Sequence, residues 1–228
     1  WLSSYAEERA RSSAGFKAVV GDSSFGQDAP MLTPAGADRG AAVLRLDNCS
    51  DCEVVGNRFR ATKFVSDLAD VRIASNVFGG AADPMYLRSN ADLSKVDLSG
   101  PDANVFQGEG PDRAVHLDGG LVPAGATWQI EPGTAVVLPQ MVGIAGTVAV
   151  GSGVVVKVPD SSTGFTVSGG RLALVGSEAD PVVVTALADD SVGGDTNGDG
   201  SASSPDRLDS WRLLVWYSAG SIELDHVK

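Results

Sequence analysis

The run Asp195-Thr196-Asn197-Gly198-Asp199-Gly200-Ser201, continuing to Asp206, puts oxygen-bearing side chains at the first, third and fifth places of a loop. Gly200 stands at the sixth place, Ser201 at the seventh and the carboxylate of Asp206 at the twelfth. A hard divalent cation the size of Ca2+ takes about six to eight oxygens. Alternating side chains reach such an ion only if the chain turns sharply at the sixth place, which Gly permits, while the seventh offers its carbonyl. We therefore expect Ca2+ held by Asp195, Asn197, Asp199, Ser201 and Asp206. Aspartate at the last place reaches less far than glutamate, and the helices that flank an EF-hand loop are missing. The expected role is a structural pin for a long excursion between strands, not a sensor. The competing reading is a solvated Asp/Asn/Gly turn without an ion. Asp189 and Asp190 are near enough in sequence to add oxygens, but the sequence does not place them.

Other reactive groups give weaker signals. Cys49 and Cys52 form a Cys-x-x-Cys pair, yet no second pair exists, and His116 and His226 lie far away in sequence, so structural zinc is disfavoured. Their place in a repeated code, described next, suggests buried thiols acting as small apolar groups. A disulfide between residues three apart on a strand requires a bend. Asp67, Asp70, Arg72, Arg58 and Arg60 could supply the calcium-binding carboxylates and the proton-abstracting arginine of a polysaccharide lyase. An offset of 19 residues, however, sets Glu53 beside Arg72 as an outward ion pair between neighbouring coils, which contributes little. Ser218 and Ser221 near His226 lack a nucleophile motif. No catalytic residue is assigned.

The elements that must position these groups are strands. Cys49-x-x-Cys52-x-Val54, Leu68-x-x-Val71-x-Ile73 and Leu93-x-x-Val96-x-Leu98 repeat one apolar code, and each is followed by Asn-x-Phe, at Asn57/Phe59, Asn76/Phe78 and Asn104/Phe106. Returning to one wall roughly every twenty-odd residues is the pattern of a stacked coil, and apolar residues two apart show strand alternation. The asparagines suit tight bends, where they bond backbone and one another across coils. The phenylalanines then fill the core. Residues 2–14, LSSYAEERARSSA, contain helix formers and predict a short amphipathic helix capping the open end of the stack. Residues 1–40 thus read as cap and loop, and 41–228 as a ladder of coils in two parts, 41–107 and 108–228. In the second part, short β-branched runs such as Val154–Val158 and Val182–Thr185 are divided by Gly or Pro. A β-sandwich of short strands is the competing architecture there.

With 43 % apolar residues and 28 glycines in 228, the chain fits an ordered all-β class rich in turns. Seventeen basic against 29 acidic side chains give a net charge of −12, which repels phosphate backbones and argues against a nucleic-acid partner. No apolar run approaches the roughly 18 residues of a membrane span, so membrane insertion is not expected. Neither an initiator Met nor a signal peptide is present, and Ile222–Lys228 is strand-like, so the chain reads as a mature fragment of something longer.

Ala126-Thr127-Trp128-Gln129-Ile130-Glu131-Pro132-Gly133-Thr134, Thr166–Leu172, Ser177–Thr185 and Asp189–Gly200 together resemble large bacterial surface or secreted proteins with right-handed parallel β-helix repeats. The earlier ladder is similar to pectate-lyase-like repeats. The resemblance implies a right-handed parallel β-helix and a secreted or cell-surface location. It implies no activity, since the same fold carries lyases, hydrolases, adhesins and inert stalks. The expected function is an extracellular structural or adhesive scaffold, stabilised by calcium and offering a surface to a polysaccharide or a surface protein. The alternative is a polysaccharide-active lyase or glycoside hydrolase. Trp128, Trp211, Trp216 and Tyr217 are the aromatics that would line a sugar groove, or else stack between coils.

Overall fold

The computed structural model describes residues 7–11, 19–21, 24–26, 42–47, 52–60, 62–67, 71–79, 85–88, 91–107, 114–159, 162–200, 202–205 and 214–228. Within them every strand pairing is parallel, and Leu93–Lys95, a single 3₁₀ turn, is the only helical element. The longest sheet has eight strands: Glu7–Arg11, Ala42–Asp47, Thr62–Asp67, Met85–Arg88, Ala114–Asp118, Ala135–Val137, Val155–Val158 and Val183–Ala186. It runs unbroken across the expected division near residue 107. A second sheet of six strands is built from Leu121–Val122, Met141–Ile144, Gly164–Val175, Thr147–Val150, Thr127–Ile130 and Leu214–Asp225. Two smaller sheets take the short strands of the N-terminal half, among them Cys52–Val55 with Val71–Ala74, and Arg58–Arg60 with Val77–Gly79. Parallel strands cannot be joined by tight hairpins. Here the chain visits the other sheets before returning to the first, a topology compatible with a β-helix. The β-sandwich alternative finds no antiparallel pair among the described residues.

Register follows side-chain type. Cys52 faces Val71, Glu53 faces Arg72 and Val54 faces Ile73, the expected offset of 19. The Asn-x-Phe motif continues upward. The amide of Asn57 and its backbone N–H both donate to Asn76 Oδ1, at 3.0 and 2.9 Å. Asn76 repeats the pattern on Asn104 Oδ1, at 2.9 and 3.1 Å. Phe59, Phe78 and Phe106 stack face to face, with ring centres 4.7 and 5.2 Å apart. The left-handed residue at the bend is the one before Asn57 and Asn76, Gly56 (φ +74°) and Ser75 (φ +56°), not the asparagine itself; Ala103, before Asn104, has no positive φ.

Three expectations need correction. The first is the N-terminal capping helix. Glu7–Arg11 is a strand, paired in parallel with Val43–Asp47. Helix propensity is a weak prior, and pairing with the long sheet overrides it; the rest of the 2–14 segment lies outside the described residues. The second is the register of the third code copy. Ile73 bridges to Val96, two places short of the expected match with Leu98, which bridges instead to Ile130. A shift of two keeps every apolar residue on the same face, so the pattern alone does not detect it. The third is the cysteine pair. Cys52 is buried and disulfide-bonded, and the chain's only other cysteine is Cys49. The described strand begins at Cys52, and a disulfide between residues three apart requires a bend between them. Cys49 itself lies outside the described residues.

The core fills the space between the sheets with columns of like residues. Val142 and Phe165 form one, with the half-buried Val215 against it, and Val148 with Leu172 and Val150 with Leu174 form others. The corner between Ile144 and Thr147 admits only glycine. A Cβ on Gly170 would sit 2.3 Å from the carbonyl oxygen of Gly146, and one on Gly220 2.0 Å from that of Gly170. These are the first residues of three Gly-x-apolar-x-apolar runs starting at Gly146, Gly170 and Gly220.

Candidate metal site above a buried lysine

The excursion after Val183–Ala186 carries the acidic loop, and the sheet beneath anchors it. Lys157 sits mid-strand in Val155–Val158, opposite Thr185. It interrupts a run of valines and is fully buried. A lysine on the outward face of a sheet is buried only if chain covers it, and residues 189–194 do. The Lys157 ammonium donates to the carbonyls of Asp189 and Gly194, at 2.7 and 2.6 Å. Gly193, in the left-handed region at φ +70°, lies over the stem; a Cβ there would come within 3.2 Å of Val155 and 3.4 Å of Lys157. Thr185 adds a second clip, its hydroxyl donating to Asp189 Oδ2 at 2.5 Å. Ser191 donates to the other oxygen from both hydroxyl and backbone.

The ionisable groups respond to this covering. Burial lowers the Lys157 pKa, while Asp190, Asp189 and Asp195 pull it back up. Burial also pushes Asp189 upward, but the bonds from Ser191 and Thr185 and the charge of Lys157 prevail, holding it below the ordinary carboxylate value. Asp190 moves the other way. Desolvation raises its pKa and the charges of Asp195 and Asp199 raise it further, against the pull of Lys157.

Of the five residues expected to bind calcium, Asp195, Asn197 and Asp199 are brought together, and Ser201 and Asp206 lie outside the described residues. Asp195 organises the turn. Its Oδ1 accepts from the N–H groups of Gly198 and Asp199, at 2.7 and 3.1 Å, and its Oδ2 from that of Gly200 at 2.8 Å. Gly200 has φ +68°, the sharp turn expected at the sixth place. Asn197 donates to Asp199 Oδ2 and to Ser203 Oγ, both at 2.9 Å. Oxygens of Asp195, Asp199 and Asp190 all lie within 4.8 Å of one another. An all-oxygen, carboxylate-rich set fits a hard cation and not a soft one. Asp190 is the member that loop spacing did not assign, and Lys157 the support it missed. The readable signal for the lysine was a single cation inside Val154–Val158.

Of the Arg/Asp group considered for lyase chemistry, the two described side chains, Arg72 and Arg58, both have partners. Arg72 reaches Asp97 and Asp102, each at 3.6 Å, rather than standing free. Burial raises the Asp97 pKa, with Arg72 opposing and Asp102 adding to the shift. Arg58 donates to Gln107 at 3.3 Å; the side chains of Arg60, Asp67 and Asp70 lie outside the described residues. Beside Asp97 is a shallow depression of about 250 Å³, lined by Ser94, Ser99, Thr127 and Gln129 among others. Trp128 is buried there and donates its indole N–H to the Val96 carbonyl at 2.9 Å, so it is a core residue. Trp216 and Tyr217 are exposed, but as neighbours on one strand they point to opposite faces. Trp211 lies outside the described residues.

No protein family, curated protein or solved structure matches the chain in the three comparisons made. No helix among the described residues is long and apolar enough to cross a membrane.

Proposed function

We propose that this chain is an extracellular structural or adhesive scaffold, a right-handed parallel β-helix pinned by calcium, which offers its sheet faces and corner loops to a surface polysaccharide or protein. The observation that carries this reading is the position of the acidic loop. It is strapped to the outside of the longest sheet by Lys157 and Thr185, so an ion there fastens an excursion to a wall. A disulfide at Cys52 adds support, because such bonds persist in oxidising compartments.

If calcium is a structural pin, chelation lowers the melting temperature. For a chain of this size, about 2 kcal/mol of binding linkage corresponds to about 5 °C. Asp195→Ala combined with Asp199→Ala reproduces that loss without chelator and makes the protein indifferent to added calcium. A melting temperature unmoved by chelator removes calcium from the proposal.

The scaffold itself is tested with a panel of acidic and neutral polysaccharides in the presence of calcium, read by new reducing ends, by unsaturated-product absorbance and by retention of the protein on each immobilised glycan. Retention without cleavage is the expected result. Cleavage of any substrate transfers the assignment to the lyase or hydrolase alternative, for which the depression beside Asp97 and Arg72 is the place to look.

A further inference from the structure

Asp190 stands outside the twelve-residue loop, five residues before its first ligand. Both of its carboxylate oxygens are shut off from solvent, and neither has a hydrogen-bond donor. Asp189 and Asp195, by contrast, are each satisfied by several donors. A buried carboxylate that lacks donors and faces two further carboxylates is unfavourable unless something positive meets it. Lys157 fills that role only in part: its charge attracts Asp190, but its described hydrogen bonds go to two carbonyls, and the repulsion from Asp195 and Asp199 outweighs its pull. Thr196, fully buried within the same stretch, likewise has a hydroxyl without a partner. Buried polar atoms without partners are rare in folded proteins, and an ion that has yet to be supplied is one of the recognised reasons for them.

Resting on the calcium reading above, we infer that Asp190 is a direct ligand of the same ion, so that the metal joins the segment leaving Val183–Ala186 to the Asp195–Gly200 turn. The ion then links two pieces of chain instead of filling one self-contained loop. This compensates for an aspartate at the twelfth place, whose short side chain reaches poorly. The ligand is a hard divalent cation, Ca2+ before Mg2+, because flexible carboxylates in a crowded cluster suit the larger and less exacting ion.

The test uses the full chain and calcium itself, titrated calorimetrically, with terbium luminescence as a second readout. Asp190→Asn weakens calcium binding about tenfold or more, as the loss of one ligand charge from such a site does. Glu178→Gln, an exposed carboxylate outside the cluster, leaves binding within about twofold. Stability gives a readout of opposite sign. Asp190 has no hydrogen bond to lose, and the repulsion from Asp195 and Asp199 that its replacement relieves outweighs the attraction to Lys157 that it gives up. In chelator, Asp190→Asn therefore melts at the same temperature as the parent chain or higher, while in calcium it gains less. Should the parent chain bind no calcium, the calcium reading itself fails. If the parent binds and Asp190→Asn binds equally well, that reading stands and this inference is overturned. If Asp190→Asn melts lower in chelator, the side chain has a structural role and the inference is likewise rejected. Asp190→Glu, which keeps the charge, retains binding to within about tenfold where the asparagine variant does not.

Discussion

Asn76→Ala destabilises the protein by about 4 kcal/mol, measured by chemical denaturation with an unchanged denaturant slope. Asn76 occupies the middle of a three-asparagine column and is fully buried. Its Oδ1 accepts from the backbone and the amide of Asn57, and its own amide donates to the Val54 carbonyl at 2.8 Å and to Asn104 Oδ1. Truncation removes the partner of several buried groups at once, each costing about 1–3 kcal/mol when left unsatisfied. The shared column makes these losses less than additive. Asn76→Asp separates hydrogen bonding from space filling. The aspartate has nearly the same shape and keeps an oxygen to accept both bonds from Asn57, but it cannot donate to Val54, and it sets a buried negative charge against Asn104 Oδ1. It is expected to be at least as damaging as alanine at neutral pH. Near-neutral behaviour of Asn76→Asp shows that the column merely fills volume.

The same column explains why this part of the fold was legible. Asn-x-Phe does work that few other residue types can do: a small amide that both donates and accepts across coils, and a flat ring that stacks on its own kind. Repeated three times, such a requirement leaves a sequence trace. The apolar code around it is more permissive. Half-cystine pairs with valine, valine with isoleucine and leucine with isoleucine along that wall, so the copy at Leu93–Leu98 slid by two places without leaving a mark, and Leu93–Lys95 became a 3₁₀ turn while its leucine stayed buried. At Glu7–Arg11 the residues favour a helix locally, and only the pairing partner at Ala42–Asp47, more than thirty residues on, makes the segment a strand. The Gly146–Gly170–Gly220 corner was readable in principle, because a glycine heads each run. The reason, the close approach of successive backbones, exists only in the stack.

At the acidic loop, spacing identified the residues that the chain brings together by local turning, Asp195, Asn197 and Asp199. Local spacing is silent about Asp190, because what matters there is the fold of the segment between. It is equally silent about Lys157, which comes from the neighbouring coil. The cysteines show the reverse error. Ladder logic made both thiols buried apolar groups; Cys52 does hold the buried position opposite Val71, but as half of a disulfide, which register alone does not reveal.

Lys157→Met is the second large effect, and it acts on the excursion more than on the ladder. Methionine matches the stem in length and volume, so no sizeable cavity forms. What is lost is the charge that caps two buried carbonyls and faces Asp189, Asp190 and Asp195. Hydrogen bonds from charged groups contribute about 1.5–3 kcal/mol each, and a net loss of about 3 kcal/mol is expected in the free energy that holds the 187–205 segment to the sheet. Hydrogen exchange reads this directly. Protection falls at the hydrogen-bonded amides of Asp189 and Ser191, while amides of the Asn57–Asn104 column keep theirs, and proteolytic nicking appears within 187–205 before the rest of the chain is cut. Calcium binding responds differently from stability, because removing a positive charge from an acidic cluster strengthens its attraction for a cation even as the wall beneath it is lost. In the variant, calcium therefore restores more protection to the segment than it adds in the parent chain. Equal loss of protection in column and excursion shows instead that Lys157 supports the whole stack, and that the loop is no separable pin.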